Sequence, residues 1–323
     1  MKRGRRALVA SVAALALLPG AAFAQQAPAA QAPAARPAPP GTVYQCPMHP
    51  DVTAMAPGTC PRCGMALAIM DPFDAREFLV DVATAPEPVR AGAPLRLQLT
   101  VREPVTRAVV SQFATVHDKR FHLFVISQDL EHYAHVHPEQ APDGSWSLDV
   151  TLPVAGYYKL YADFLPIGGT PQVVALPLVT ASFAGSLAGS AARLVPDREL
   201  TKTVGSMRVG LALPEDPLVA GREEMFAFEL TDAASGQPVR DIEAYLGAWG
   251  HTLLISEDTL SVVHAHPVEL VPLEDPAARG GPVITFKALF PKPGVYRMWA
   301  QMQRKGEVVT AMFTVNVLST VKQ

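Results

Sequence analysis

Residues 121–138 read FHLFVISQDLEHYAHVHP, and residues 250–267 repeat this pattern as GHTLLISEDTLSVVHAHP. The two stretches align without a gap at a constant offset of 129 residues. Each begins with an apolar run rich in β-branched and aromatic residues, passes through a polar Ser-x-Asp segment, and ends in His-x-His-Pro. This order of signals is typical of two antiparallel strands joined by a turn. The sequence therefore predicts two related β-hairpins.

The duplication extends well beyond the hairpins. Residues 153–164, with the pattern Pro-x-x-Gly-x-Tyr, are matched by residues 291–302. Together the matches place one copy of a module over about residues 77–183 and a second over 200–319. The stretch 184–199, which is rich in small residues, joins them.

The apolar pattern within each copy favours strands over helices. Side chains alternate between apolar and polar along 95–101, and turn signals such as Asp143-Gly144 and Ser235-Gly236 recur. No stretch shows a sustained period of 3.6 residues. We therefore expect a mostly β protein with two tandem antiparallel β-sandwich domains, each of seven or eight short strands. Periodicity leaves open whether they are immunoglobulin-like or cupredoxin-like.

Three histidines of each hairpin are expected to meet within their own repeat. With a turn near residues 128–130, His122 lies beside His135 or His137, where cross-strand Cβ separations are about 4.5–5.5 Å. Imidazole nitrogen suits Cu(II) and Zn(II), so three converging rings would form a metal site. The second copy repeats the arrangement with His251, His264 and His266.

Several readings of these histidines remain open. A fourth ligand in the first copy could be water, His132, Asp163 or His117, and these side chains have no counterpart in the second copy. A His-Pro pair at a strand end also serves as scaffold, and three imidazoles with an open position could instead form a copper redox centre. The arrangement loosely resembles exported copper-resistance and copper-chaperone β-sandwiches, which hold metal with histidines on such strands.

A short segment before the repeats holds every cysteine of the chain. Residues 44–67 read YQCPMHPDVTAMAPGTCPRCGMAL, with Cys46 and His49 three apart and Cys60 and Cys63 three apart. Three thiolates and one imidazole at this spacing predict a closed tetrahedral metal site. The segment is too short to bury a core, so the metal would supply most of its folding free energy.

This segment resembles the small heavy-metal-binding domain of copper and silver transport proteins. That family's pattern Tyr-x-Cys-Pro-Met-His-Pro is present at 44–50, and Pro-Gly-x-Cys-Pro-x-Cys-Gly-Met-x-Leu is present at 57–67. The resemblance implies metal handling. Met48 and Met65 add thioether sulfur beside the thiolates, which favours Cu(I) or Ag(I) as well as Zn(II). A structural zinc knuckle is the alternative.

The N-terminus predicts export. Basic residues at 2–6, an apolar run over 7–18 and the Ala-Phe-Ala of 22–24 describe a signal peptide spanning 1–24, followed by an Ala/Pro-rich linker over 25–41. Cleavage would remove four basic and no acidic residues, which moves the formal net charge from −3 to −7. A mildly acidic chain is a poor nucleic-acid binder, and no later segment is long and apolar enough to span a membrane.

These features predict an exported, periplasmic heavy-metal-binding protein for sequestration or delivery in metal homeostasis. It would bind copper, silver or zinc through the knuckle at 42–70, and Cu(II) or Zn(II) through the histidines. A partner in metal efflux or delivery is expected. The alternative is a zinc-stapled interaction module accessory to an efflux assembly. No nucleophile motif or phosphate loop is present, so enzymatic activity is not expected.

Overall fold

The computed structural model describes residues 42–181, 183–185, 192–272 and 275–319. The predicted signal peptide and the predicted linker after it, over residues 1–41, lie outside these described residues. Every helix or strand element found within them is a β-strand. In the part of the chain that the structure describes, no helix is long and apolar enough to cross a membrane.

The cysteine segment forms a small three-stranded sheet on the side of the first repeat. Its order is β2–β1–β3, with β1 at Tyr44–Gln45, β2 at Thr53–Ala54 and β3 at Ala68–Ile69. The amide of Gly168 donates to the carbonyl of Ile69 at 2.9 Å. Met70 packs with Leu165 in a small apolar cluster. These contacts fix the segment on the first sandwich.

The first repeat is a sandwich of two antiparallel four-stranded sheets, as the alternating pattern predicts. Its strands are β4 (Leu79–Ala85), β5 (Pro94–Arg102), β6 (Phe121–Ser127), β7 (Tyr133–Val136), β8 (Glu139–Gln140), β9 (Trp146–Thr151), β10 (Tyr157–Phe164) and β11 (Gln172–Val179). One sheet has the order β4–β5–β9–β8, and the other has the order β11–β10–β6–β7. Their inner faces enclose one apolar core.

The second repeat has the same plan with one added strand. Its strands are β12 (Thr201–Val204), β13 (Met207–Ala212), β14 (Glu223–Asp232), β15 (Ile242–Glu243), β16 (His251–Ser256), β17 (Val262–Ala265), β18 (Val283–Leu289), β19 (Gly294–Arg304) and β20 (Glu307–Val317). One sheet has the order β12–β13–β14–β18. The other has the order β15–β19–β16–β17, with β20 paired to β19. The predicted pair of β-sandwiches is confirmed.

The two sandwiches pack against each other through the sheets that carry the hairpins. Every residue of β6 is buried. Leu123 and Val125 enter the core of their own repeat, and Phe124 and Ile126 enter a separate cluster with Trp299 and other residues of the second repeat. Strand β16 is likewise buried along its whole length. Because both faces of these strands are apolar, each needs a second covering layer, and the other repeat provides it.

Candidate metal centres

The four predicted ligands of the knuckle converge on one point. The Sγ atoms of Cys46 and Cys63 lie 3.5 Å apart. The Nδ1 atom of His49 lies 3.6 Å from the Sγ of Cys46 and 3.6 Å from that of Cys60. Tetrahedral zinc with ordinary bond lengths requires about 3.8 Å between two sulfurs and about 3.5 Å between sulfur and nitrogen. The four side chains therefore fit a metal of this size without rearrangement.

Backbone turns bring the cysteines together, and burial keeps two of them protonated in the absence of metal. The amide of Gly64, whose φ is +70°, donates to the carbonyl of Cys60 at 2.8 Å, and the amide of Cys60 donates to the carbonyl of Met65. Burial raises the pKa of Cys46, and it raises that of Cys63 to about 12. Metal binding must therefore displace thiol protons, which makes the affinity depend on pH.

The histidines of the first hairpin also come together. The Nδ1 atom of His122 lies 3.0 Å from the Nε2 of His135 and 3.2 Å from the Nε2 of His137. Strand pairing sets this geometry, because Phe124 lies opposite His135 and all of these side chains point away from the core of the first repeat. With metal–nitrogen bonds of about 2.0–2.1 Å, such separations correspond to angles of about 95–105° at the metal.

Hydrogen bonds on the outer side of these rings fix which nitrogen faces inward. His122 donates from Nε2 to the carbonyl of Val116 at 2.9 Å. His135 donates from Nδ1 to the Oε1 of Gln301 at 2.9 Å. The Nε2 of Gln301 donates in turn to Thr310, so the amide oxygen must face His135. The inward nitrogens are then bare lone pairs 3.0 Å apart, an arrangement that a cation between them would stabilise.

The second histidine set differs from the prediction. His251 and His266 lie together, but the third member of their group is His117 from the first repeat, whose ligand atom lies within 4.8 Å of theirs. His264 donates from Nδ1 to the Oδ2 of Asp163 at 3.0 Å, and its Nε2 has no hydrogen-bond partner. The ring of His264 stays beside the group, 4.5 Å from the centroid of His266. The structure therefore groups His117 of the first repeat, and not His264, with His251 and His266.

The predicted fourth ligands of the first set lie elsewhere. His117 stacks on His266 with ring centroids 3.6 Å apart. Asp163 pairs with His264 of the second repeat. His132 packs edge-on against Tyr158 at 5.9 Å, on the other side of the hairpin. None of these three joins His122 in its ligand group.

Both histidine groups lie between the repeats, with some of their rings buried and the others half-buried. His122 is 3% exposed and His251 is 1% exposed. Burial lowers the pKa of His117 to about 3 and that of His137 to about 3. It holds the pKa of His135 well below the ordinary value as well. The rings are therefore neutral near pH 7, which is the state in which imidazole binds metal.

A cavity of about 200 Å³ lies between the knuckle and the histidines. The knuckle lines it with Pro47 and Met48, and the repeats line it with residues that include His117, His122, His264 and His266. Met48 thus borders the space beside the histidines. Met65 contributes to the knuckle through its backbone, because its carbonyl accepts the hydrogen bond from the amide of Cys60.

Sequence reasoning did not place His117, Gln301 and Asp163 in these roles. His117 stands in a left-handed turn with φ of +49°, and the equivalent residue of the second repeat is Leu246 with φ of +51°. Asp163 lies opposite His122 on the neighbouring strand, and Gln301 lies opposite His251. The repeat makes Asp163 and Gln301 equivalent, and this was the available signal for these two residues, although it does not reveal that each contacts the other repeat.

Known proteins resemble the cysteine segment closely. Residues 43–70 match the family described as heavy metal binding domain. Over 40 residues the chain is 62% identical to a copper-transporting P-type ATPase of Rhizobium leguminosarum bv. viciae, an alignment that covers 12% of this chain and 5% of that protein. The chain thus spans a small fraction of the length of this relative. Metal binding by the segment is supported, and the resemblance predicted from its motif is confirmed.

Solved structures resemble the chain only distantly. The Escherichia coli adhesin FdeC aligns over 74% of this chain and 64% of its own, with 13% identity and a TM-score of 0.24. Escherichia coli alpha-2-macroglobulin aligns over 76% of this chain and 20% of its own, with 14% identity and a TM-score of 0.24. Likenesses this weak do not bear on function.

The repeats have a family of their own. Residues 77–181 and 202–319 match the family described as domain of unknown function DUF8832. These stretches make up more than half of the sequence. The chain therefore belongs to the family described as domain of unknown function DUF8832, with a heavy metal binding domain in front of the matched stretches.

Proposed function

We propose that this chain is an exported, periplasmic protein that takes up Cu(I), Ag(I) or Zn(II) at its cysteine centre and sequesters or delivers it in metal homeostasis. The observation that carries the proposal is the convergence of Cys46, His49, Cys60 and Cys63 at separations that fit a tetrahedral ion. The match to the heavy metal binding domain supports it.

The two kinds of centre suit different ions. Three thiolate sulfurs favour soft ions such as Cu(I) and Ag(I), together with Zn(II), whereas the imidazoles around His122 favour Cu(II) or Zn(II). The outer hydrogen bonds of His122 and His135 orient both rings as metal ligands usually are. The chain would then hold copper in either oxidation state, which suits an oxidising compartment.

The alternative is a zinc-stapled interaction module accessory to an efflux assembly. The cavity favours metal handling over a purely structural knuckle, because Met48 borders a space that also reaches the histidines. A thioether beside thiolates gives a soft ion a further ligand on the way out of the cysteine centre. A structural staple has no need of such a space.

Metal analysis of the full mature chain tests the proposal. Under reducing conditions the wild-type chain should bind Cu(I), and Cys60→Ser should lose one equivalent while the histidine sites keep their Zn(II). Met55→Leu is the matched control, because that thioether is 70% exposed. An unchanged Cu(I) count in Cys60→Ser would refute the cysteine centre. One bound zinc that never exchanges with excess Cu(I) would favour the staple.

Export has its own measurement. Mass spectrometry of the protein recovered from periplasmic extracts should show a chain that begins at Gln25. Recovery of the uncleaved chain from the cytoplasm would overturn this part of the proposal.

A further inference from the structure

We propose that His117, His251 and His266 form a further metal centre, built across the two repeats, that binds a borderline divalent ion such as Zn(II) or Cu(II). This centre does not depend on the cysteine knuckle. It also differs from the site around His122, because its ligands come from both repeats. Metal bound there would tie the two sandwiches together.

The three rings form a compact group in the buried interface. Their ligand nitrogens all lie within 4.8 Å of one another. The ring centroids of His117 and His251 are 5.3 Å apart, and those of His251 and His266 are 4.8 Å apart. His117 and His266 are stacked, with ring planes 14° apart, so a single ion reaches all three rings once these two rings tilt and their nitrogens converge.

Unpaired nitrogens point to a missing partner. Five buried ring nitrogens of the group make no hydrogen bond: both nitrogens of His117, both of His266 and the Nδ1 of His251. The backbone of Leu246 lies near His117, but neither ring nitrogen reaches it with hydrogen-bond geometry. Buried polar atoms in folded proteins are normally satisfied, and each unsatisfied one opposes folding. A shared metal ion satisfies one nitrogen of each ring at once.

The outer contacts of the group resemble those of the first histidine set. His251 donates from Nε2 to the carbonyl of Tyr245 at 2.9 Å, which leaves its Nδ1 bare and directed inward. His264 donates from Nδ1 to Asp163 and keeps a bare, buried Nε2 beside the group. Asp163 therefore acts as a positioning residue supplied by the first repeat. His264 is available as a fourth donor if the ion draws it in.

The donor set determines the class of ion. The three proposed ligands are all neutral nitrogen donors. Hard ions such as Mg²⁺ and Ca²⁺ prefer oxygen and would bind poorly. Imidazole nitrogen suits late first-row divalent ions. A site dedicated to soft ions would instead carry thiolate or thioether ligands, and this group has none.

Titration of the full mature chain with Zn(II) and Cu(II) tests the centre. Leucine occupies the equivalent turn in the second repeat, so His117→Leu is a natural replacement. This variant should lose one bound equivalent and part of the metal-induced rise in melting temperature. His132→Ala is the matched control, because His132 packs against Tyr158 outside both groups, and it should keep the wild-type stoichiometry.

A second variant guards against a folding defect. His117→Asn keeps a side chain that tolerates the left-handed turn and should also lose one equivalent while the metal-free protein stays folded. Unchanged stoichiometry in both His117 variants would overturn the proposal. Loss of the same equivalent in His132→Ala would also overturn it. The cysteine centre fails independently, because its loss is read in Cys60→Ser.

Discussion

Lowering the pH should destabilise the metal-free protein, and His117 allows the size of the effect to be worked out. Its pKa falls from about 6.5 in the unfolded chain to about 3 in the folded one, because burial disfavours the charged ring. Below pH 6.5 the unfolded state therefore binds a proton that the folded state does not accept. The stability that the neutral ring provides is fully present above pH 6.5 and is lost as the pH falls from there toward 3.

The expected magnitude follows from the shift. At pH 5 the pH lies about 1.5 units below the pKa of His117 in the unfolded chain. At about 1.4 kcal/mol per unit, protonation of this single ring in the unfolded state lowers the free energy of unfolding by about 2 kcal/mol. The pKa values of His135, His251 and His266 are also held well below normal by burial. The whole protein should therefore lose more than this between pH 7 and pH 5.

Urea denaturation of the metal-free chain in a series of buffers from pH 4 to pH 8 measures this loss. The His117→Leu variant should show a shallower dependence, by about 1.4 kcal/mol per pH unit between pH 6 and pH 4, which is the contribution of one proton. Val105→Ala, an exposed change with no titrating group, should keep the wild-type slope. An unfolding free energy that stays constant from pH 7 to pH 5 would refute the picture of neutral, buried rings.

Three further changes probe the interface and the cavity. Gln301→Leu removes the acceptor of His135 and should cost about 1–3 kcal/mol in urea denaturation of the metal-free chain; no loss would mean that the hydrogen bond does not form. Trp299→Ala opens the apolar contact between the repeats and should cost about 3–5 kcal/mol, measured in the same way, whereas a cost below about 1 kcal/mol would contradict its buried position. Met48→Leu should slow the transfer of Cu(I) from the cysteines to a chromogenic Cu(I) chelator in stopped-flow spectroscopy without changing the bound stoichiometry, and Met55→Leu should not; a wild-type rate in Met48→Leu would argue against a route past this thioether.

Much of the architecture could be predicted because it follows from local patterns in the sequence. The gapless offset of 129 residues between the hairpins indicates a duplicated module, and alternation along the strands indicates sandwiches. The spacing of Cys46, His49, Cys60 and Cys63 limits which side chains can meet. The two members of each pair are three residues apart, so one tight turn brings them together. All four side chains of this group come from the segment itself.

The arrangement between the repeats could not be predicted in the same way. Strand β6 is apolar on both faces, which indicates burial on two sides but does not identify the covering surface. His117 has no histidine counterpart in the second repeat, so the duplication gives it no signal. The partner of His264 is Asp163, which lies 101 residues away. Only the packing of one sandwich on the other brings these residues together.

The reciprocal bonds across the interface carry a consequence for how the chain can diversify. His135 bonds Gln301, and its counterpart His264 bonds Asp163, the counterpart of Gln301. Two separate copies of one module, related by a twofold axis, would be forced to make both bonds with the same residue type. Fusion in a single polypeptide lifts that constraint, and the halves have diverged: a carboxylate stands on one side and an amide on the other, so the two halves need not bind ions with equal strength.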